Sequence, residues 1–254
     1  MMPLRSSASV IARARRSLED ANEEHARAIL KSKSQINRLT LVASLPPELL
    51  SSIFLSIVRE HFAQTALAAT ASNDPPARSP NTWIKISHVC RDWRIVVLGT
   101  PKLWSYVMIT GIFPVEVFLT RSKRALLSVV AKIPSPHNYT HKAHLARVLV
   151  EFARLKNLQI IRHPQDIGQI CKEINGCAPF LETFTVALDS ETIMFAPFGY
   201  HWDPTHSIPL FHVLSPDRLP RLRTLNISNV PFRWDNPMFS ATLTTLVVSK
   251  SVNF

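Results

Sequence analysis

The chain is poor in glycine: five in 254 residues, about 2%, where roughly 7% is usual. They stand at Gly99, Gly111, Gly168, Gly176 and Gly199, and the closest two are eight positions apart. A phosphate-cradling loop needs glycines two to five positions apart, so that the backbone can turn tightly against the anion. That spacing is absent, and with it go the Gly-x-Ser-x-Gly nucleophile elbow and the Gly-rich loop of kinases. Cysteine is also scarce. Cys90, Cys171 and Cys177 make an odd count without a C-x-x-C pair, which argues for a reducing compartment and against a disulfide framework or a zinc site. No run of apolar residues approaches the eighteen a membrane span needs. No pair of acids sits in an apolar setting that would split their proton affinities for acid–base work. The expectation is a protein without catalytic machinery or cofactor, located in the cytoplasm, the nucleus or both.

What is present begins with charge. There are 29 Lys and Arg against 18 Asp and Glu, a net +11, and residues 101–150 alone carry +6. Arg121, Lys123, Arg124, Lys132 and Lys142 are the basic candidates for nucleic acid within the 121–142 segment, but no aromatic residue interleaves its densest part for base stacking. A solvated basic face is the plainer reading. Arg5, Arg13, Arg15 and Arg16 without an acid in the first 18 residues have the composition of a mitochondrial transit peptide. The helical pattern nonetheless continues through Glu19, Asp20, Glu23 and Glu24.

Residues 10–38 lack Gly and Pro and favour helix on propensity. A heptad frame places Ile11, Leu18, His25, Ser32 and Leu39 at one seam position and Ala14, Ala21, Ala28 and Gln35 at the other. The polar members make it a weak coiled coil, or a solvated arm braced by pairs such as Glu23 with Arg27. Leu45-Pro46-Pro47-Glu48 then opens an amphipathic helix through Leu49, Leu50, Ile53, Phe54, Ile57, Val58 and Phe62. Proline in the first turn forfeits no hydrogen bond, and Glu48 sits where the helix dipole favours an anion. Residues 63–82, rich in Ala, Thr, Ser, Asn and Pro, read as a disordered loop. A second helical stripe runs through Trp83, Ile86, Val89, Cys90, Trp93 and Val97 and closes at Gly99-Thr100-Pro101; Tyr106–Ile109 reads as a short strand.

Leu45-Pro46-Pro47-Glu48-Leu49-Leu50-Ser51-Ser52-Ile53-Phe54, Val89-Cys90-Arg91-Asp92-Trp93-Arg94 and Thr100-Pro101-Lys102-Leu103-Trp104 together resemble an F-box-like domain. The resemblance covers 45–104, about a quarter of the chain, and departs from the family in the 20-residue insertion between its helices. It implies a small helical module docking on the Skp adaptor subunit of cullin-RING ubiquitin ligases, through Leu45, Pro46, Leu49, Leu50, Ile53, Phe54, Val89 and Cys90, around a module core of Trp93 and Trp104. The residues themselves supply what docking requires, since the first helix carries two adjacent apolar stripes: one can face inward and the other a partner groove.

Beyond the module an apolar pattern at positions one, four and six recurs at Leu155-Leu158-Ile160, Leu181-Phe184-Val186, Leu222-Leu225-Ile227 and Leu243-Leu246-Val248. The intervals of 26, 41 and 21 residues suggest degenerate leucine-rich repeats, with no Asn at the usual ladder position although Asn229 is close. Helices are expected at His141–Phe152 and around Ile167–Ile174, the latter ending at Gly176. The expected architecture is an α+β or α/β solenoid in three parts: a helical arm over 1–43, a small all-helical F-box-like module over 44–104 with its insertion at 63–82, and a partial repeat array over 105–254. By resemblance, such an array recruits a target protein of unknown identity for ubiquitin transfer. The sequence stops six residues after the last repeat, which suggests either truncation relative to a longer array or a last strand left as an open edge.

Two constellations offer little chemistry. His137, His141 and His144 could approach a metal, yet no carboxylate lies nearby before Glu151. His88 and Cys90 are two apart on a helix, where side chains diverge. Asn138-Tyr139-Thr140 and Asn226-Ile227-Ser228 match the glycosylation pattern, which matters only on secretion.

Overall fold

A computed structural model describes residues 4–71, 81–109, 114–133, 139–162, 176–188, 215–230, 239 and 242–249. Its α-helices are α1 (Leu4–Arg38), α2 (Pro47–Ala71), α3 (Arg91–Gly99), α4 (Val115–Ser122) and α5 (Tyr139–Leu149). Short 3-10 turns occupy Leu41–Ser44, Thr82–His88, Pro101–Ser105 and Phe152–Arg154. The strands are β1 (Tyr106–Ile109), β2 (Leu127–Ile133), β3 (Leu155–Arg162), β4 (Thr183–Leu188), β5 (Thr224–Ser228) and β6 (Thr245–Ser249). All six pair in parallel, in chain order.

The fold is α/β, and this corrects the expectation of a helical module followed by a leucine-rich-repeat solenoid. The four patterned stretches do mark four strands. Leu158, Phe184, Leu225 and Leu246 stand opposite one another across β3–β6, as do Ile160, Val186, Ile227 and Val248. But the sheet begins two strands earlier, at Tyr106, and both its faces are covered where it begins. One face, with Val107, Val129, Ala131, Leu158 and Ile160, packs on Phe118 of α4 and Leu145, Val148 and Leu149 of α5. The other face, with Met108, Val130, Ile161 and Ala187, packs on Ala69, Ala66 and Phe62 of α2. Burial on both sides explains why every residue of β2 is buried, Lys132 included.

Helix α2 is what joins the first part of the chain to the sheet. Leu50, Phe54 and Val58 recur at i, i+4 and i+8 and enter the main core with Trp83, Val97 and Trp104. One turn further on, the helix passes to the opposite face of the sheet. Arg59 Nε donates to the Tyr106 hydroxyl at 2.9 Å, Phe62 meets the Tyr106 ring edge-on at 5.2 Å, and Gln159 Nε2 donates to the Ala66 carbonyl at 3.1 Å. Residues 63–71, expected as part of a disordered loop, are therefore helix. Small side chains at Ala66 and Ala69 let the helix lie close on the strands.

The second helical stripe is corrected too. It is not continuous from Trp83: the 3-10 turn ends at His88, and α3 starts at Arg91. Trp104 is core, with Trp83 and Phe118 around it at 5.2 and 5.6 Å and its indole Nε1 donating to the Val97 carbonyl at 2.9 Å. One hydrophobic cluster thus runs from Leu50 through Trp104 and Phe118 into the strands, across the boundary drawn at residue 104.

The helix near His141 is α5, ending at Leu149 with Phe152 in the following turn. The helix expected at Ile167–Ile174 lies outside the described residues. Gly176 has φ +88°, the left-handed conformation expected of a glycine that closes a helix. Asn229 takes φ 58° just after β5, and its N–H donates to the Ser249 carbonyl at 3.0 Å.

Candidate functional site

Proline sets the entry to the site. Pro47 occupies the first position of α2, and the Pro46 carbonyl accepts the N–H groups of Leu49 and Leu50 at 3.0 and 3.1 Å. Packing on the core then divides the apolar residues of α2 between two faces. Leu50, Phe54 and Val58 point inward, 6%, 2% and 1% exposed. Leu49, Ile53 and Ile57, each one residue earlier and so 100° round the helix, are 53%, 46% and 46% exposed. Phe54 and Leu50, both candidates for adaptor contact, are core residues. The Phe54 side chain has no surface to offer, and that of Leu50 shows only an edge in the neighbouring groove.

At the start of α2 lies a groove of about 530 Å³, bounded by the end of α1, the Leu41–Ser44 turn, the first turn of α2 and α3. Leu45, Pro47, Leu50, Val89, Cys90 and Trp93 line it, so residues far apart in sequence meet on one wall. Asp92 is the only carboxylate among its lining residues. Pro46 is exposed at the rim of the same turn. Val89, at 60% exposure, faces out rather than into the module. Trp93 is only partly buried and bridges core and groove, its ring centroid 4.9 Å from that of Phe54. The sequence reading missed Val42, Ile95 and Val96, which also line the groove. A signal existed for one of them: Ile95 and Leu98 form an i, i+3 apolar pair on the outer side of α3, both exposed.

Cys90 has a structural task. Its sulfur accepts the Trp93 N–H at 3.5 Å, capping the first turn of α3. His88, by contrast, is exposed at the end of the preceding turn.

The other candidates do not assemble. Of the basic residues, Arg121 lies over the Trp104 ring at 4.3 Å, Lys132 is buried in β2, and Lys142 is half-buried on α5. Only Lys123 and Arg124 are exposed side by side, in the turn after α4. His137 lies outside the described residues. His141 is buried on the inner face of α5 and His144 is half-buried. Among the described residues no three metal-ligating side chains cluster, and no helix is long and apolar enough to cross a membrane.

No family model, curated protein or solved structure matches the chain.

Proposed function

We propose that the chain is a docking adaptor that binds the Skp subunit of a cullin-RING ubiquitin ligase and carries a target protein on its α/β body. The observation behind the reading is the division of α2 into two stripes. Leu50, Phe54 and Val58 already satisfy the core, so Leu49, Ile53 and Ile57 are surplus to the fold. Exposed Pro46 and Val89, and the apolar groove wall that Leu45 and Val89 help to line, add to the apolar surface these helices leave uncovered. Covering aliphatic side chains that are half exposed returns on the order of 1 kcal/mol each, enough in sum for a specific helix-in-groove contact. The order Leu-Pro-Pro-Glu-Leu-Leu, Cys-Arg-Asp-Trp-Arg, Pro-Lys-Leu-Trp supplies the identity of the partner through its resemblance to the F-box-like domain.

Adaptor and ligase act by proximity, and the chemistry of ubiquitin transfer belongs to other subunits. Gel filtration of the purified chain with purified Skp adaptor tests the reading: co-elution is expected for the wild type and lost for Leu49→Asp/Ile53→Asp. Separate elution of the wild type at micromolar concentration would exclude it. Phe54 is unsuited to this test, because its loss would disturb the core first.

A further inference from the structure

Helix α1 is 35 residues long, and from Ser9 to Arg38 every side chain is exposed except half-buried Ser34. Among them are Ile11, Leu18, Ile29 and Ile36, 54–67% exposed. An isolated helix gains most of its stability by packing an apolar face. The uninterrupted heptad gives α1 a poor face, because it puts Ser32 and Gln35 on the seam and leaves Ile29 and Ile36 off it. At 100° per residue, however, Ile11, Leu18, Ile29 and Ile36 lie within about 20° of one line. The pattern is two heptad blocks joined by a four-residue step, a stutter. One seam position then reads Ile11, Leu18, Asn22, Ile29, Ile36, and the other Ala14, Ala21, His25, Ser32.

We infer that α1 pairs with α1 of a second copy of this chain as a parallel two-stranded coiled coil. Three features select that occupant. β-Branched Ile11, Ile29 and Ile36 recur at the first seam position, the placing found in parallel two-stranded coils, and small Ala14, Ala21 and Ser32 at the second let two helices approach closely. Asn22 is the one polar residue there, and in a parallel in-register pair it faces its twin, where an amide pair fixes alignment. Charge is also compatible. Arg13, Arg16, Glu23, Arg27 and Lys31 lie on the far side of the helix, and Arg15 and Glu19 are paired within it at 2.8 Å. The only basic flanking residues, Arg15 and Lys33, meet Val10 and Ala28 of the other copy in a parallel pair. In the reversed orientation that aligns the apolar residues, Arg15 comes near Lys33 and repels it, and Asn22 loses its twin. The seam runs about 38 Å from Ile11 to Ile36 and is about 10 Å wide on each helix, roughly 800 Å² in total, the size of a weak, concentration-dependent association. The pairing does not rest on the docking reading, but it would present two copies of the outer α2 stripe.

The test is sedimentation equilibrium of the full chain over 1–100 µM, with disulfide trapping in a Cys90→Ser/Cys171→Ser/Cys177→Ser background. The wild type should move from 28.6 kDa towards twice that mass. Ile11→Asp/Ile29→Asp should remain at monomer mass with its circular-dichroism melting of the body unchanged, since both side chains are exposed. Ala14→Cys and Ser32→Cys, each introduced alone, should both give oxidised dimers, because only a parallel pair brings both residues opposite their twins. A wild type that stays monomeric at 100 µM overturns the inference. So does association that survives Ile11→Asp/Ile29→Asp, or a dimer in which either single cysteine fails to cross-link.

Discussion

Phe54 and Trp93 meet with ring centroids 4.9 Å apart and planes inclined at 57°, and this contact ties α2 to α3. Phe54 is almost wholly buried, while Trp93 reaches from the core to the groove. The pair therefore marks the line between what the fold uses and what it leaves exposed. Everything proposed for the docking surface depends on which side of that line a residue falls.

Replacing Phe54 by alanine removes a fully packed ring from the joint between α2, α3 and the sheet. The cost should be about 3–5 kcal/mol, the range for a buried aromatic. Denaturant unfolding followed by tryptophan fluorescence would report it as a lowered midpoint.

Leu49→Asp and Ile53→Asp should leave the unfolding midpoint unchanged to within about 0.5 kcal/mol, because both side chains are half exposed on the outer stripe. A large destabilisation by either would mean that the outer stripe serves the core. The contrast with Phe54→Ala is internal to one helix and can be read from the same titrations.

Trp104→Phe keeps an aromatic ring against Trp83 and Phe118 but deletes the indole N–H that donates to the Val97 carbonyl. That carbonyl also accepts the Thr100 N–H at 3.4 Å, so it retains one partner. The expected loss is about 1–2 kcal/mol. Hydrogen exchange should quicken first in the last turn of α3.

Cys90→Ser should preserve the cap on α3, since a hydroxyl oxygen accepts an N–H better than sulfur does, whereas Cys90→Ala should cost about 1 kcal/mol. Amide exchange at Trp93 distinguishes the two variants, with protection kept in the first and reduced in the second.

The start of α2 was legible because proline and a 3.6-residue apolar period coincide there. Its continuation was not, because the buried residues beyond Phe62 are alanines, which composition cannot separate from a loop. The strands β3–β6 were legible through alternation: residues four and six of each pattern point to the same face. The same alternation misled about architecture. It tells which side chains face a core and says nothing of what lies on the sheet's other face, where α2 packs against Met108, Val130 and Ile161. β2 was hidden by its own burial, since Leu127–Ile133 is an apolar run interrupted by Ser128 and Lys132 rather than an alternating strand. At the site, Leu45, Val89 and Cys90 were placed together by resemblance, and they do line one groove. Leu50 and Phe54 were counted with Leu49 and Ile53 as adaptor contacts because two stripes one residue apart look alike in sequence. Only the packing against Trp93 and the sheet tells them apart.

The measurement that bears most directly on the docking surface is calorimetric titration of purified Skp adaptor into the full chain, repeated with Leu49→Asp/Ile53→Asp. The outer-stripe account predicts one-to-one binding per chain at micromolar affinity or tighter for the wild type. For the variant it predicts a loss of at least about 100-fold, the equivalent of about 2.7 kcal/mol. Absence of heat with the folded wild type, or equal affinities for wild type and variant, would contradict it.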